Sequence, residues 1–233
     1  MAITATRLTR AAGVCAALAG AIFIGVNINH PHVDVASIVT TELVIRNSLK
    51  LLMCALALAG IAGMYLSQVR RNGVLGLVGY LVLAIGYLLI MCTTFVSAYV
   101  LPSIAGTDPA YVKDVLAVAV GNTATGDIGA LATISRVQGI AYLAGGLLFG
   151  VALYRARVLA RWAAVLLAVG GVVSAALSVM PDAFYRLLAY PNGVAMIGLG
   201  YSLWSTARRD VSTQPAEVRD RHATTGGEAT ARP

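Results

Sequence analysis

Glu42, Arg46 and Lys50 stand four residues apart in sequence. On a helix, positions i, i+4 and i+8 share one face. Glu42 can pair with Arg46, and Lys50 then needs a carboxylate, such as Asp127 or Asp182, or an anionic ligand. This face reads either as a structural ion-pair ladder or as a site for a carboxylate, phosphate or lipid headgroup. His30-x-His32-x-Asp34 is the most metal-like pattern. In extended chain, residues two apart point the same way, and Pro31 favours extension at His30. Two imidazoles and a carboxylate are transition-metal ligands, although no cysteine or fourth ligand lies nearby to complete the set.

The elements that must carry these residues follow from composition. The chain has 233 residues, 58% of them hydrophobic and 12% charged. Its mean hydropathy is +0.80. A soluble domain carries about 25% charged residues, so this one lacks the polar surface a soluble globule needs. A cytoplasmic enzyme, a nucleic-acid-binding module and a disordered chain are all excluded, and a multi-pass membrane protein remains. A bilayer span takes about 20 apolar residues. Six such segments lie near 9–28, 44–67, 74–99, 132–154, 158–179 and 187–207, forming one transmembrane domain over 1–207. The remainder, 208–233, reads as a disordered cytoplasmic tail. Arg7 and Arg10 precede an apolar run too long for a signal peptide, so a retained first span is expected.

Charge sets the orientation. Of 17 cations, 12 fall on one side of the six spans: Arg7, Arg10, Arg70, Arg71, Arg155, Arg157, Arg161, Arg208, Arg209, Arg219, Arg221 and Arg232. The positive-inside rule places that side, with both termini, in the cytoplasm of a cell membrane. On the outer side stand Glu42, Arg46, Lys50, Asp127, Arg136, Gln138, Asp182, Arg186 and Asn192. A charge in hydrocarbon costs about 2.5–3.5 kcal/mol, so these residues are expected to line an outward polar vestibule. It lies under the long 100–131 connection, where Thr107 or Asp108 caps a short helix over 109–120 and 121–129 forms a turn.

Small residues recur every four positions at Gly13, Ala17, Ala21 and Gly25, at Ala59 and Gly63, and at Gly146 and Gly150. Close backbone approach at such residues drives packing in lipid, within the bundle or between two copies. Residues 9–26 align without gaps on 135–152, pairing Arg10, Gly13, Gly20 and Phe23 with Arg136, Gly139, Gly146 and Phe149. A three-plus-three inverted repeat fits that alignment. Cys15, Cys54 and Cys92 all lie in apolar runs and read as buried free thiols.

Leu148-Phe149-Gly150, Leu153-Tyr154-Arg155 and Arg161-Trp162-Ala163-Ala164-Val165-Leu166, with the Arg-rich start of helix one, resemble a family of uncharacterised bacterial integral membrane proteins. The resemblance spans most of 7–207, and Ala160 stands where that family often has proline. It implies a six-helix membrane fold and no assigned activity.

No GxSxG, HExxH or P-loop occurs, so no cofactor is expected. No lysine lies deep in a late helix, as a retinal protein needs, and no acid lies at a helix centre, as a proton pump needs. The leading expectation is a protein that binds or translocates a small or amphipathic ligand, anionic if the excess cations select it, with the bilayer as partner and no nucleic acid. The alternatives are two. One is a membrane-embedded enzyme on a lipid or isoprenoid, with Glu42, Asp127 or Asp182 as acid or base. The other is an accessory subunit packing through its small-residue faces.

Overall fold

The computed structural model describes residues 4–177 and 190–208. The chain is all-helical, with no strand among the described residues. The elements are α1 (Ala5–Asn27), α2 (Thr41–Leu66), α3 (Val69–Phe95), α4 (Leu101–Ile104), α5 (Pro109–Ala119), α6 (Leu131–Ala156) and α7 (Arg161–Leu177). We label the helical backbone over 190–208 α8. Among the described residues, four helices are long and apolar enough to cross a membrane: α1, α2, the continuous run Val69–Ile104, and α6.

Three of the starts have a local cause. Thr4 caps α1 by accepting from the Arg7 N–H, and Thr40 caps α2 by accepting from the Leu43 N–H. Such caps satisfy amides that have no partner inside the helix. Asp108 caps α5 and Pro109 fills its first turn. The turn between α2 and α3 is tight: α2 ends at Leu66 and helical backbone resumes at Val69. It bends again at Gly73, whose φ of 56° is accessible to glycine at little cost. At the far end of α3 one π turn, Val96–Val100, leads into α4. Pro102 supplies the reason, because it has no N–H for the carbonyl four residues back.

The long helices pack in a closed ring. α1 lies against α2, α2 against α3, α3 against α6 and α6 against α7. The last two contacts run through α8, where Gly198 sits against Trp162 and Ala163 of α7, and Gly193 and Gly200 meet Gly20 and Gly13 of α1. The α1–α8 contact therefore pairs 13 with 200 and 20 with 193, a seven-residue step in opposite directions. Glycine is required there because a Cβ on either helix would strike the other's backbone. The α3–α6 contact repeats the device. Gly79, Leu83 and Gly86 face Phe149, Gly145 and Tyr142.

The spacing of small residues is thus real, but the faces differ from those expected. On α1 the buried small residues are Gly13, Ala16, Ala19 and Gly20, while Ala21 and Gly25 are exposed. On α2 the contacts use Gly60 and Gly63, set against Ala16 and Ala12, and Ala59 is exposed. Gly150 meets Ala164 and Ala168 of α7. The positions paired by the repeat do not make equivalent contacts: Gly13 is wedged against α8, whereas a side chain at Gly139 would meet nothing.

The middle of the ring is filled. Ala16, Cys54, Ile61, Met64, Leu83, Phe149, Leu153, Ala164, Met196 and Leu199 belong to one buried cluster drawn from all six long helices. Tyr65 and Tyr80 stack at 5.0 Å against this core. Cys54 is buried and Cys92 exposed. The predicted tail beyond 208 lies outside the described residues.

Gly145→Val should destabilise the bundle by about 1–3 kcal/mol through overpacking against Leu83. Gly139→Ala, into open space, should be neutral or stabilising by up to about 1 kcal/mol through helix propensity. Reversible unfolding in mixed micelles distinguishes the two.

Candidate functional site

The polar residues expected to act together are distributed among separate tasks. Those among the described residues lie at the end of the ring that holds the α1–α2 and α3–α6 connections. The end of α1 explains the most important of these tasks. The last carbonyls of a helix have no partner within it. Here the chain leaves the helix through Ile28 in extended backbone and Asn29 in the left-handed region at φ 46°, a conformation asparagine tolerates. Arg46 of α2 reaches across to these carbonyls. Its Nη1 donates to Val26 O and Ile28 O at 3.0 Å each, and its Nη2 to Asn29 O at 3.4 Å. Nε donates to Glu42 Oε1 at 3.0 Å, and Nη2 lies 2.9 Å from the same oxygen. The Arg46 side chain is 19% exposed and Glu42 59%. A cation at a helix C-terminus also opposes the negative end of the helix dipole.

Lys50, one turn further along α2, is half-buried and makes a contact the sequence reading had not assigned. Its Nζ lies 3.1 Å from His30 Nε2. His30 Nδ1 lies 2.9 Å from Pro31 O. A carbonyl can only accept, so Nδ1 carries the proton and Nε2 accepts from the ammonium. The neutral tautomer of His30 is set by these two neighbours. Glu42, Arg46 and Lys50 do share one face, and that face ties α2 to residues 26–31.

The metal-like trio is pulled apart in function. His30 faces Lys50, and His32 is exposed. Asp34 closes a local turn: its Oδ1 accepts from the Ser37 N–H at 2.7 Å, and the Ser37 hydroxyl accepts from the Asp34 N–H at 2.9 Å. The Ser37 amide, then its hydroxyl, holds the Asp34 carboxyl below its ordinary range. Among the described residues no group of three His, Cys, Asp or Glu side chains is placed to hold a metal ion.

The other candidates also separate. Gln138 Oε1 accepts from the Thr93 hydroxyl at 2.6 Å, joining α6 to α3. Asp127 Oδ1 accepts from the Gly129 N–H at 2.8 Å within its own loop. Arg136 is exposed. Asn192 is 4% exposed and lies over Gly170, where the absent side chain leaves it room. Asp182 and Arg186 lie outside the described residues.

Under the 100–131 connection the expected polar mouth is occupied by a second apolar core. Ile38, Leu43, Leu101, Val112, Leu116 and Ile128 pack there. Asp114, which the sequence analysis did not single out, holds this cap together. It is 7% exposed. Its Oδ1 accepts from the Thr125 N–H and hydroxyl at 2.9 Å each, and its Oδ2 from the Gly126 N–H at 2.7 Å. The Thr125 and Gly126 amides and the Thr125 hydroxyl, in that order, lower its pKa. The available signal was an acid on the inward face of an apolar helix, PAYVKDVLAVA, followed by a Thr-Gly turn.

An open groove remains on the outer face of α1 and α2. It measures about 480 Å³ and is lined by Ile22, Gly25, Val26, Glu42, Ile45, Arg46 and Leu49. Gly25 lies on it, and nothing stands within 4 Å of where its Cβ would be. At the arginine-rich end a smaller hollow of about 220 Å³ is bordered by Thr6, Thr9, Ser67 and Thr206. The hydroxyls of Thr9, Ser67 and Thr206 donate to the carbonyls of Ala5, Met64 and Ser202.

Arg46→Ala should destabilise the fold by about 1.5–3 kcal/mol, the worth of a charge-assisted bond, since three carbonyls at the end of α1 lose their donor. Arg46→Lys should recover only part of this, because an ammonium has three donors and no planar fork. Chemical unfolding of both variants tests it. Asp114 has a folded pKa below its unfolded value, so its contribution is complete above the unfolded pKa and lost as pH falls through the folded one. The Thr125 and Gly126 amides should therefore exchange faster below about pH 4, and Asp114→Asn should give fast exchange at neutral pH.

No protein-family model matches the chain, no curated protein matches it, and no solved structure matches it.

Proposed function

We propose that this chain is a six-span protein of a cell membrane, with both ends cytoplasmic, that binds an amphipathic, lipid-like ligand in the groove between α1 and α2. The groove carries the reading. Its volume falls within the usual range for ligand sites, about 300–1,000 Å³. Its walls are aliphatic side chains of α1 and α2, and its rim bears a carboxylate and a guanidinium. An alkyl chain suits the first and a polar head the second.

Three observations support the surrounding picture. α7 and α8 complete the ring begun by the four long apolar helices. Arg7, Arg10, Arg70, Arg71, Arg155, Arg157, Arg161 and Arg208 gather at the end opposite the groove's charged rim, the distribution expected of a cytoplasmic face. The filled ring centre favours binding at the periphery over passage through the middle.

Gly25→Trp fills the groove from a position with no packing neighbour. The variant should keep the wild-type melting temperature and lose binding of palmitoyl-lysophosphatidylcholine, measured by native mass spectrometry of protein released from nonionic detergent. Unchanged lipid binding would sink the reading. So would a shift from dimer to monomer in Gly25→Trp, which would assign the groove to a second copy.

A further inference from the structure

The groove's polar rim has a sign, and hydrogen-bond accounting decides it. Arginine carries five N–H donors and no acceptor. In Arg46 four are hydrogen-bonded, Nε–H to Glu42 Oε1, the two on Nη1 to Val26 O and Ile28 O, and one on Nη2 to Asn29 O, while Nη2 is also ion-paired with Glu42 Oε1. An anionic head at this guanidinium would have to compete with Glu42 or with the carbonyls at the end of α1. Lys50 is turned to His30 and does not border the groove. The cations that made this face look like an anion site are therefore committed to protein groups.

Glu42 is in the opposite condition. Both Arg46 contacts fall on Oε1. Among the described residues no hydrogen bond reaches Oε2, and the side chain is 59% exposed at the groove's edge. The C-terminal end of α1 adds its negative dipole to the same rim. The rim thus offers a hydrogen-bond acceptor carrying negative charge, beside a trough of Ile22, Ile45 and Leu49.

We propose that the groove takes a membrane lipid whose head ends in a primary ammonium, with the ammonium donating to Glu42 Oε2 and one acyl chain lying along the trough past Gly25. This rests on the groove reading above and reverses the charge the sequence suggested for the ligand. Recognition is charge-assisted hydrogen bonding from N⁺–H to carboxylate, with Arg46 holding the carboxylate in place through its other oxygen.

The test uses two lysolipids of equal chain length that share a phosphate and differ in the terminal group: palmitoyl-lysophosphatidylethanolamine and palmitoyl-lysophosphatidylglycerol. Competitive binding to the full chain is read by native mass spectrometry. The wild type should prefer the ethanolamine lipid by about tenfold, the factor one good charge-assisted bond supplies. High salt should reduce the preference. Glu42→Gln retains an amide oxygen for Arg46 and should erase the preference while still binding both lipids. Gly25→Trp should bind neither. A wild-type preference for the glycerol lipid overturns the headgroup assignment without needing any variant to fold. A preference that survives in Glu42→Gln does the same. Full binding of both lipids by Gly25→Trp overturns the groove itself.

Discussion

A leucine gains little by leaving lipid for a protein interior, because both are hydrocarbon. Helices in a membrane associate where their backbones can come close. That constraint organises this chain. Between α1 and α8 it places glycine on both partners, Gly13 against Gly200 and Gly20 against Gly193. Between α3 and α6 it places Gly79, Gly86 and Gly145 against bulky neighbours, Phe149, Tyr142 and Leu83. These contacts close a ring whose centre is filled by Phe149, Leu153, Met196 and their neighbours. With the centre filled and the cap packed, the larger of the two hollows described lies on the outer face of α1 and α2, beside Gly25.

The same environment governs the polar groups. A helix that ends near hydrocarbon exposes carbonyls that water satisfies poorly there. Arg46 is placed to satisfy three of them and is itself neutralised by Glu42. Asp114 does the corresponding work for the amides of residues 125–126. Most of the conspicuous charges here act on the backbone. Glu42 differs, because its second oxygen faces outward at the groove's edge.

Much of the architecture was legible from residue types. Apolar runs of span length located the long helices, and Asp108-Pro109 marked the start of α5 as expected. The i, i+4, i+8 spacing correctly put Glu42, Arg46 and Lys50 on one face, and the Glu42–Arg46 pair formed. The site was less legible. His30 was read with His32 and Asp34, yet it faces Lys50, twenty residues on in sequence. Gly25 was grouped with Gly13 by a four-residue period. A helix turns 3.6 residues per cycle, so a four-residue stripe drifts around the cylinder. By position 25 it has left the packed face.

The sequence by itself determined the helices, their apolar lengths, the cap that starts α5 and the concentration of arginine at one end. These depend on properties a residue has alone or with neighbours a turn away. Tertiary structure decided which glycines touch, that Arg46 reaches the end of α1, that the 100–131 connection closes over an apolar core, and which oxygen of Glu42 stays open. Each of these depends on where a second, distant segment lies. A side chain's chemistry depends on which of its hydrogen-bonding groups that segment has already taken.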